Sequence, residues 1–334
     1  MITDKCSIII PTFNRGELLK KIIIKISKSE SLELIKEILI CDSYSQDGTK
    51  EILSNLKNDY PKLDIQHLHT KNNISMKRNL GINNAQTNFL IFFDDDCEPN
   101  KDCIKNHINC LLSSEKKIFS GAVKFPNSQI KKDNYIRYRD SRHRYFDNLP
   151  EKSKINFKQI VTMNLALKKN EIIDNDLLFD EDFLAYGMED NEFGYRAELK
   201  GFKLLKSRAE IIHHDWHDLD TFKKKIYITA RDGTSMFLKK HPEAVWNLYY
   251  SKFFEPEYPF KNIFSKYFSR IINLLFIQKV SNTFSFFVKL TKKYKFFYFK
   301  FFYRYILACE YARGVKDRNL KYLSKDDTKK GFYS

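Results

Sequence analysis

Glycine is scarce in this chain, with ten residues in 334. No G-x-G-x-x-G occurs, and "DGTK" at 47–50 is too short for a phosphate-cradling loop, so a dinucleotide-binding or P-loop fold is not expected. The six cysteines (Cys6, Cys41, Cys97, Cys103, Cys110, Cys309) form no C-x-x-C pair, and two fall in apolar runs. That pattern reads as reduced, packed thiols rather than a disulfide framework. Long apolar runs are missing too. "IINLLFIQ" falls far short of the roughly 20 residues that span a bilayer. The opening "MITDKCSIIIPTFNR" has neither the basic leader nor the apolar core of a signal peptide. Together these absences predict a cytoplasmic protein without a transmembrane helix.

Acidic residues thin out toward the end. Residues 241–334 hold 18 Lys+Arg against 7 Asp+Glu, so +11 of the formal +16 lies there. A solvated basic surface explains a short charge run. An excess sustained over this length points to an anionic partner: a membrane surface, nucleic acid or an acidic polymer.

What is present is globular, at 43% hydrophobic and 30% charged residues, and long enough for an enzyme-sized core. Over the first hundred residues strand and helix signals alternate. "CSIII", "IKEILICD", "LDIQHLH" and "NFLIFF" read as strands; "GELLKKIIIKIS", "DGTKEILSNL" and "SMKRNLGINNA" read as helices between them. That alternation argues for βαβ units and a mostly parallel, Rossmann-like α/β sheet sandwiched by helices. Ligands bind at the carboxyl ends of such strands, where Pro11-Thr12, Asp42 and Asp94-Asp95-Asp96 all fall. From 115 to 240 the pattern loosens into a polar loop region, "NYIRYRDSRHRYFDN", and a strand, "QIVTMNLALKK".

Three adjacent carboxylates at the exit of an apolar strand repel one another and need a compensating cation. Asp94 and Asp96 can share a hard divalent ion, or divide their work between it and a polar ligand; Mg²⁺ completes such a shell with water and substrate phosphates. The plainer reading is an acidic turn favouring the positive end of the next helix. Glu189 and Asp190, after a glycine, open a helical segment. Three histidines in five positions, "HHDWH" from 213, stand beside Asp215 and raise the prospect of a metal ligand.

The order "IIIPTFNR", "ILICDSYSQDGT", "KRNLGINNA" and "FLIFFDDDCEP" resembles family 2 glycosyltransferases of the GT-A fold, over residues 5–100. Gln46 departs from the commoner Ser or Thr. The resemblance implies that Pro11 and Thr12 line the nucleobase pocket, Asp42 accepts from the base and Arg78 sits near base or phosphate. It further implies that Asp94 holds the ribose and Asp96 the metal, Mn²⁺ or Mg²⁺, while Asp95 belongs to the nucleotide-sugar site without a separate duty. "GMEDNEFGYRAELKG" resembles the acceptor-site motif of the same family. It gives Asp190 as general base and Glu189 as acceptor contact, with Arg196 structural. His213, or His214 one residue on, matches a metal-binding histidine; Trp216 is either a sugar platform or core.

With the resemblance over its first part and a shift of composition toward Phe, Tyr, Lys and Ile beyond about 241, the chain divides into a catalytic domain at 1–240, with a nucleotide part near 1–115 and an acceptor part near 116–240, and a basic aromatic helical extension at 241–334. An apolar stripe at 263, 264, 267, 268, 271, 272 and 275 and the segment from 285 to 314 suit the interface of an anionic membrane or packing on the core. The expected activity is metal-dependent, inverting transfer from a nucleotide-diphospho-sugar, UDP-linked by preference, to a glycan or lipid-linked hydroxyl in cell-surface polysaccharide synthesis. A nucleotidyltransferase and a nucleic-acid-binding protein compete. The first wants a glycine-rich basic loop where "PTFNRGELL" has one glycine. The second leaves the acidic triplet unexplained and shows no recognised motif, so no nucleic-acid partner is expected.

Overall fold

A computed structural model of the chain describes residues 4–112, 115–214, 217–248, 271 and 274–318. Strands β1 (Cys6–Thr12), β2 (Ile35–Asp42), β3 (Ile65–His69) and β4 (Phe89–Phe93) are parallel neighbours in the order β3-β2-β1-β4. Helices α1 (Gly16–Ser27), α2 (Thr49–Asp59) and α3 (Ile74–Asn84) connect them. The strands are apolar on both faces, so both must be covered. Ile8, Ile10, Ile38, Ile40, Ile91 and Phe93 join one core; Ile9, Leu39, Cys41, Leu90 and Phe92 join the other. Helix α1 buries Leu19, Ile22, Ile23 and Ile26, a stripe at helical spacing. Helix α3 starts where the Asn73 side chain accepts from Met76 N at 3.0 Å. Its Gly81 is set by contact, since a Cβ there would lie 2.4 Å from Ile9 Cγ2.

The second half adds β5 (Cys97–Pro99), α4 (Cys103–Leu112), β6 (Lys117–Lys124), α5 (Asn127–Lys132), α6 (Asn134–His143), β7 (Asn164–Lys168) and α7 (Lys169–Asp174). Then come α8 (Glu189–Leu199), β8 (Lys203–His213), α9 (Leu219–Ile228), α10 (Thr234–Lys240), α11 (Gln278–Leu290) and α12 (Lys300–Asp317). The eight-stranded sheet runs β3-β2-β1-β4-β7-β6-β8-β5. β6 and β8 are parallel, whereas β4·β7, β6·β7 and β5·β8 are antiparallel. Strand β5 begins four residues after β4 yet lies four places from it in the sheet. Four residues reach ~14 Å, and four strand spacings of a flat sheet need ~19 Å, so the sheet must curl. The curl carries Asp94–Asp96, between β4 and β5, to the end of β8.

Two expectations from the sequence change. "NYIRYRDSRHRYFDN" is not a loop: Asp133 caps α6 by accepting from Tyr135 N at 2.7 Å, and Tyr135, Tyr138 and Arg139 are buried. Their cover comes from α9, α11 and α12, through Phe222, Val288 and Tyr303, far away in sequence. "QIVTMNLALKK" forms a strand only over its second half, because Thr162 turns toward α8 and its N–H donates to Asp190. Helix α12 packs into the main core through Tyr311, Ala312 and Val315. All six cysteines are buried. Of the apolar stripe at 263–275, only 271 and 275 fall within the described residues, and Trp216 lies outside them.

Candidate active site

The turn after β4 is built around cations. Arg15, at the start of α1, donates to Asp95 Oδ1 at 2.7 Å and to Asp96 Oδ2 at 2.9 Å. Thr12 Oγ1 at the end of β1 donates to Asp95 Oδ2 at 2.8 Å, and Lys77 Nζ donates to Thr12 O at 2.8 Å. Burial pulls the Lys77 ammonium down to about 8 against the attraction of Asp95. Burial pushes Asp95 up to about 7, opposed by Arg15. Asp96 goes the other way: burial works against its charge, but His213 and Arg15 outweigh it and hold the carboxyl far below the usual range.

The Arg15 loop is positioned by its neighbour. Asn14 N donates to Ser45 Oγ at 2.7 Å, Gln46 N donates to Asn14 Oδ1 at 2.8 Å, and Gly16 N donates to Asp47 Oδ2 at 2.8 Å. The Gln46 backbone makes the tie, which is why its side chain departs freely from Ser or Thr.

On the far side of the triplet, His213 Nε2 lies 3.3 Å from Asp96 Oδ1. His214 turns away, with Nε2 3.0 Å from Glu98 Oε2, while its backbone N donates to Asp96 O at 2.8 Å. Asp96, Cys97 and His213 each offer a ligand atom within 4.8 Å of one another. The Cys97 thiol is raised well above its ordinary value by burial and by Asp96, so it stays protonated and is a poor partner for a hard cation. One carboxylate oxygen and one imidazole nitrogen, spaced like adjacent ligands of one ion, fit a divalent metal at Asp96 and His213.

Arg78, on α3, links the two acidic groups. Its Nη1 donates to Glu189 Oε1 at 3.2 Å and to Asp190 Oδ1 at 3.0 Å, and its Nη2 is 3.8 Å from Asp94 Oδ1. Asp190 also accepts from Thr162 Oγ1 at 2.9 Å and Thr162 N at 3.2 Å. The turn into α8 needs glycine: Gly187 has φ +90°, and a Cβ would meet Thr229 Oγ1 at 2.6 Å. Glu189 is buried and raised to about 7 by that burial and by Asp190, against Arg78. Arg196 grips Glu192 at 2.6 Å and Leu178 O at 2.6 Å, away from these groups.

Asp42 ends β2. Its Oδ1 accepts from Ser45 Oγ at 2.6 Å, its Oδ2 from Ser45 N at 3.1 Å, and His67 Nε2 stands 3.1 Å from Oδ2. Pro11 is buried within β1 beside Cys41 of β2. The curled sheet thus gathers Thr12, Asp95, Asp96, His213, Arg78, Asp94, Glu189 and Asp190 into one linked set, with Asp42 one strand away. Sequence reasoning assigned no role to Arg15, Lys77, Thr162 or His67. Arg15 and Lys77 stand inside quoted motifs and were within reach; Thr162 and His67 carry no local signal.

Residues 7–169 match the sequence profile described as Glycosyl transferase family 2. Chondroitin synthase of Escherichia coli is 24% identical over 257 residues, 64% of this chain and 35% of that protein. The GalNAc(5)-diNAcBac-PP-undecaprenol beta-1,3-glucosyltransferase of Campylobacter jejuni is 31% identical over 148 residues, 40% of this chain and 47% of that one. The matched part spans about one third to two thirds of the length of such curated relatives. A mannosyltransferase from Pyrobaculum calidifontis, solved in complex with GDP-Man and Mn²⁺, superposes with a TM-score of 0.60 at 14% identity, covering 96% of this chain and 88% of that one. That likeness shows a shared GT-A fold. From β1 through β7, just under half of its length, the chain carries the match to glycosyl transferase family 2.

Proposed function

We propose that this protein is a metal-dependent, inverting glycosyltransferase. It would move a sugar from a nucleotide-diphospho-sugar to a hydroxyl of a glycan or lipid-linked acceptor, in the assembly of a cell-surface polysaccharide. The observation that carries this reading is the pairing, in one crevice, of a metal-ready Asp96–His213 couple with a carboxylate, Asp190, held by Arg78 and Thr162.

Asp190 accepts the proton of the acceptor hydroxyl as its oxygen attacks the anomeric carbon; the bond from that carbon to the diphosphate oxygen breaks, and the configuration inverts. A divalent ion at Asp96 and His213 would neutralise the charge gathering on the departing diphosphate. An imidazole nitrogen in the ligand set favours Mn²⁺ over Mg²⁺, which prefers oxygen. Arg78 and Thr162 fix the direction of the Asp190 carboxylate. Glu189 beside it would contact the acceptor sugar, and Asp94 the ribose. Pro11, Thr12 and Asp42 would receive the base.

Uridine suits Asp42 better than guanosine. Ser45 N, Ser45 Oγ and His67 already engage both oxygens of the carboxylate, so little acceptor capacity remains, and the single ring N–H of uracil demands less of it than the two donors of guanine. A basic C-terminal region against an anionic membrane, on the cytoplasmic side, completes the reading. Among the described residues no helix is long and apolar enough to cross a membrane.

A thermal-shift comparison of UDP, UDP-sugars and GDP-Man with Mn²⁺, Mg²⁺ or a chelator tests this. Any ligand that prefers the folded state raises the apparent stability. Stabilisation by UDP-sugar with Mn²⁺, lost with chelator, is expected. Indifference to every nucleotide in every metal sinks the assignment.

A further inference from the structure

Helix α11 has two different faces. Ser281, Ser285 and Val288 point inward, while Phe286 is 70% and Leu290 68% exposed. The connection to α12 continues the exposed side with Tyr294, Phe296 (84% exposed) and Phe299, and α12 itself begins with exposed Phe301. Large aromatic side chains at such exposure are costly in water and need a partner. From 278 to 300 the sequence holds six lysines and no Asp or Glu. The same segment also borders a cleft. Val288, Lys289 and Lys292 line it, about 460 Å³ in volume, together with Phe125, Gln129, His213 and His214.

We infer that residues 286–301 are an insertion tip for an anionic lipid bilayer, and that the tip holds the mouth of this cleft at the headgroup layer. The acceptor can then reach His213 while still anchored in lipid; this second clause rests on the transferase reading, and the first does not.

Charge selects the occupant. Aromatic rings that settle at the depth of lipid headgroups, on a segment with six lysines and no acid of its own, complement a negatively charged surface. A second copy is a poorer fit. A two-fold contact through this tip would set one set of lysines against the same set on its partner. An acidic protein would satisfy the lysines but would leave Phe296 and Phe286 facing a charged surface.

The cleft is not uniformly basic, because Asp133, Asp218 and Asp220 also line it and Lys289 is paired with Asp220. Lys292, among its lining residues, belongs to the tip, and His213, also in the lining, is the histidine assigned to the metal. An acceptor bearing a lipid phosphate would therefore meet Lys292 and the reacting site within one cleft.

The test uses the full chain and sedimentation with vesicles of phosphatidylglycerol or of phosphatidylcholine. The wild type should co-sediment with phosphatidylglycerol vesicles and much less with phosphatidylcholine. The variant Phe286→Ser/Phe296→Ser/Phe299→Ser should lose binding by about tenfold or more. Lys292→Glu/Lys293→Glu/Lys295→Glu should lose the preference for phosphatidylglycerol by a similar factor. These positions are exposed, so unchanged circular dichroism keeps both variants interpretable. All six native cysteines are buried, so a polarity-sensitive dye on one introduced cysteine reports its own surroundings. Dyes at Phe296→Cys and Gln129→Cys should shift blue with phosphatidylglycerol vesicles. A dye at Lys57→Cys, on α2 against the opposite edge strand β3, should not. Wild-type protein that ignores vesicles, or a serine variant that binds as well as wild type, overturns the insertion tip. So does a concentration-dependent dimer that the serine variant abolishes, since the patch is then an interface between copies. A silent dye at Gln129 with a responsive one at Phe296 overturns the placement of the cleft. No arm measures sugar transfer, so failure here is separable from failure of the proposed activity.

Discussion

The crevice holds two acidic groups with opposite electrostatics. Asp96 faces the Arg15 guanidinium at 2.9 Å and the His213 imidazole at 3.3 Å, and burial does not prevent it from staying ionised. Glu189 and Asp190 share one guanidinium, Arg78, between them. Glu189, the more deeply buried, is pushed up to about 7 by that burial and by Asp190, which Arg78 only partly offsets. Carboxylates of the same chemistry are therefore sorted by burial and by the charged neighbours around each, the same logic that separates acid from base in paired-carboxylate sites. A group held permanently negative suits a metal. A pair balanced on one arginine suits proton transfer and contact with neutral hydroxyls.

The largest effect should come from Asp96. Asp96→Ala should abolish turnover and remove metal-dependent stabilisation by UDP, because a buried anion that binds Arg15 and is proposed to hold the metal is gone. Asp96→Asn keeps the shape and should fail alike. Full metal-dependent nucleotide binding in the asparagine variant would erase the contrast between the two groups. Next is Asp190→Asn, which keeps the Thr162 contact but cannot accept a proton. A positioned base supplies ~10²–10⁴-fold of rate, and single-turnover transfer should fall by that range while donor affinity holds. Loss of donor affinity in step with rate would make Asp190 a binding residue.

How much of this was visible in the sequence follows from distance along the chain. The four parallel strands and their helices are encoded by alternation within ten residues, as in "ILICD" and "GELLKKIIIKIS", and they form where the pattern places them. The convergence of Thr12 and the triplet on one strand-end crevice followed from that topology. The meeting of Asp96 with His213 did not, because it depends on the sheet curling through β7, β6 and β8. Helix α6 was missed for the same reason: its buried Tyr135 and Tyr138 gain their cover from Tyr303, about 165 residues on, and a local window sees only charge and tyrosine. Thr162 was invisible in another way. Its contact with Asp190 requires β7 to start late, at Asn164, which leaves the preceding turn free to face α8.

The arginine-sharing pair also makes a prediction about pH. The Glu189 value is raised from 4.5 to about 7, so the folded state binds more protons than the unfolded state between those limits. Stability from this group is complete below about pH 4.5 and is lost as pH rises through about 7. Glu189→Gln removes that loss. Relative to wild type it should gain on the order of 1–3 kcal/mol on going from about pH 5 to about pH 8, read from urea unfolding at each pH. A difference between the two proteins that does not change with pH would show that Glu189 stays ionised and that Arg78 serves both acids fully.

The smallest effect separates two neighbours. His213 Nε2 looks at Asp96 Oδ1, whereas the His214 ring is engaged by Glu98, itself paired with Lys25 at 2.9 Å. His213→Ala should therefore weaken Mn²⁺-dependent nucleotide binding strongly, by about 10–100-fold, the range that loss of a group at or next to a metal produces. His214→Ala should leave that binding within a few fold. Its backbone N–H, which donates to Asp96 O, survives the substitution. What it forfeits is a half-exposed contact to Glu98 with a worth of about 1 kcal/mol or less. The measurement is Mn²⁺ titration at fixed UDP, followed by thermal shift, for both variants side by side. Equal losses would mean that the two rings exchange roles when metal binds. A larger loss at His214 would move the metal toward Glu98 and away from the ionised end of the triplet.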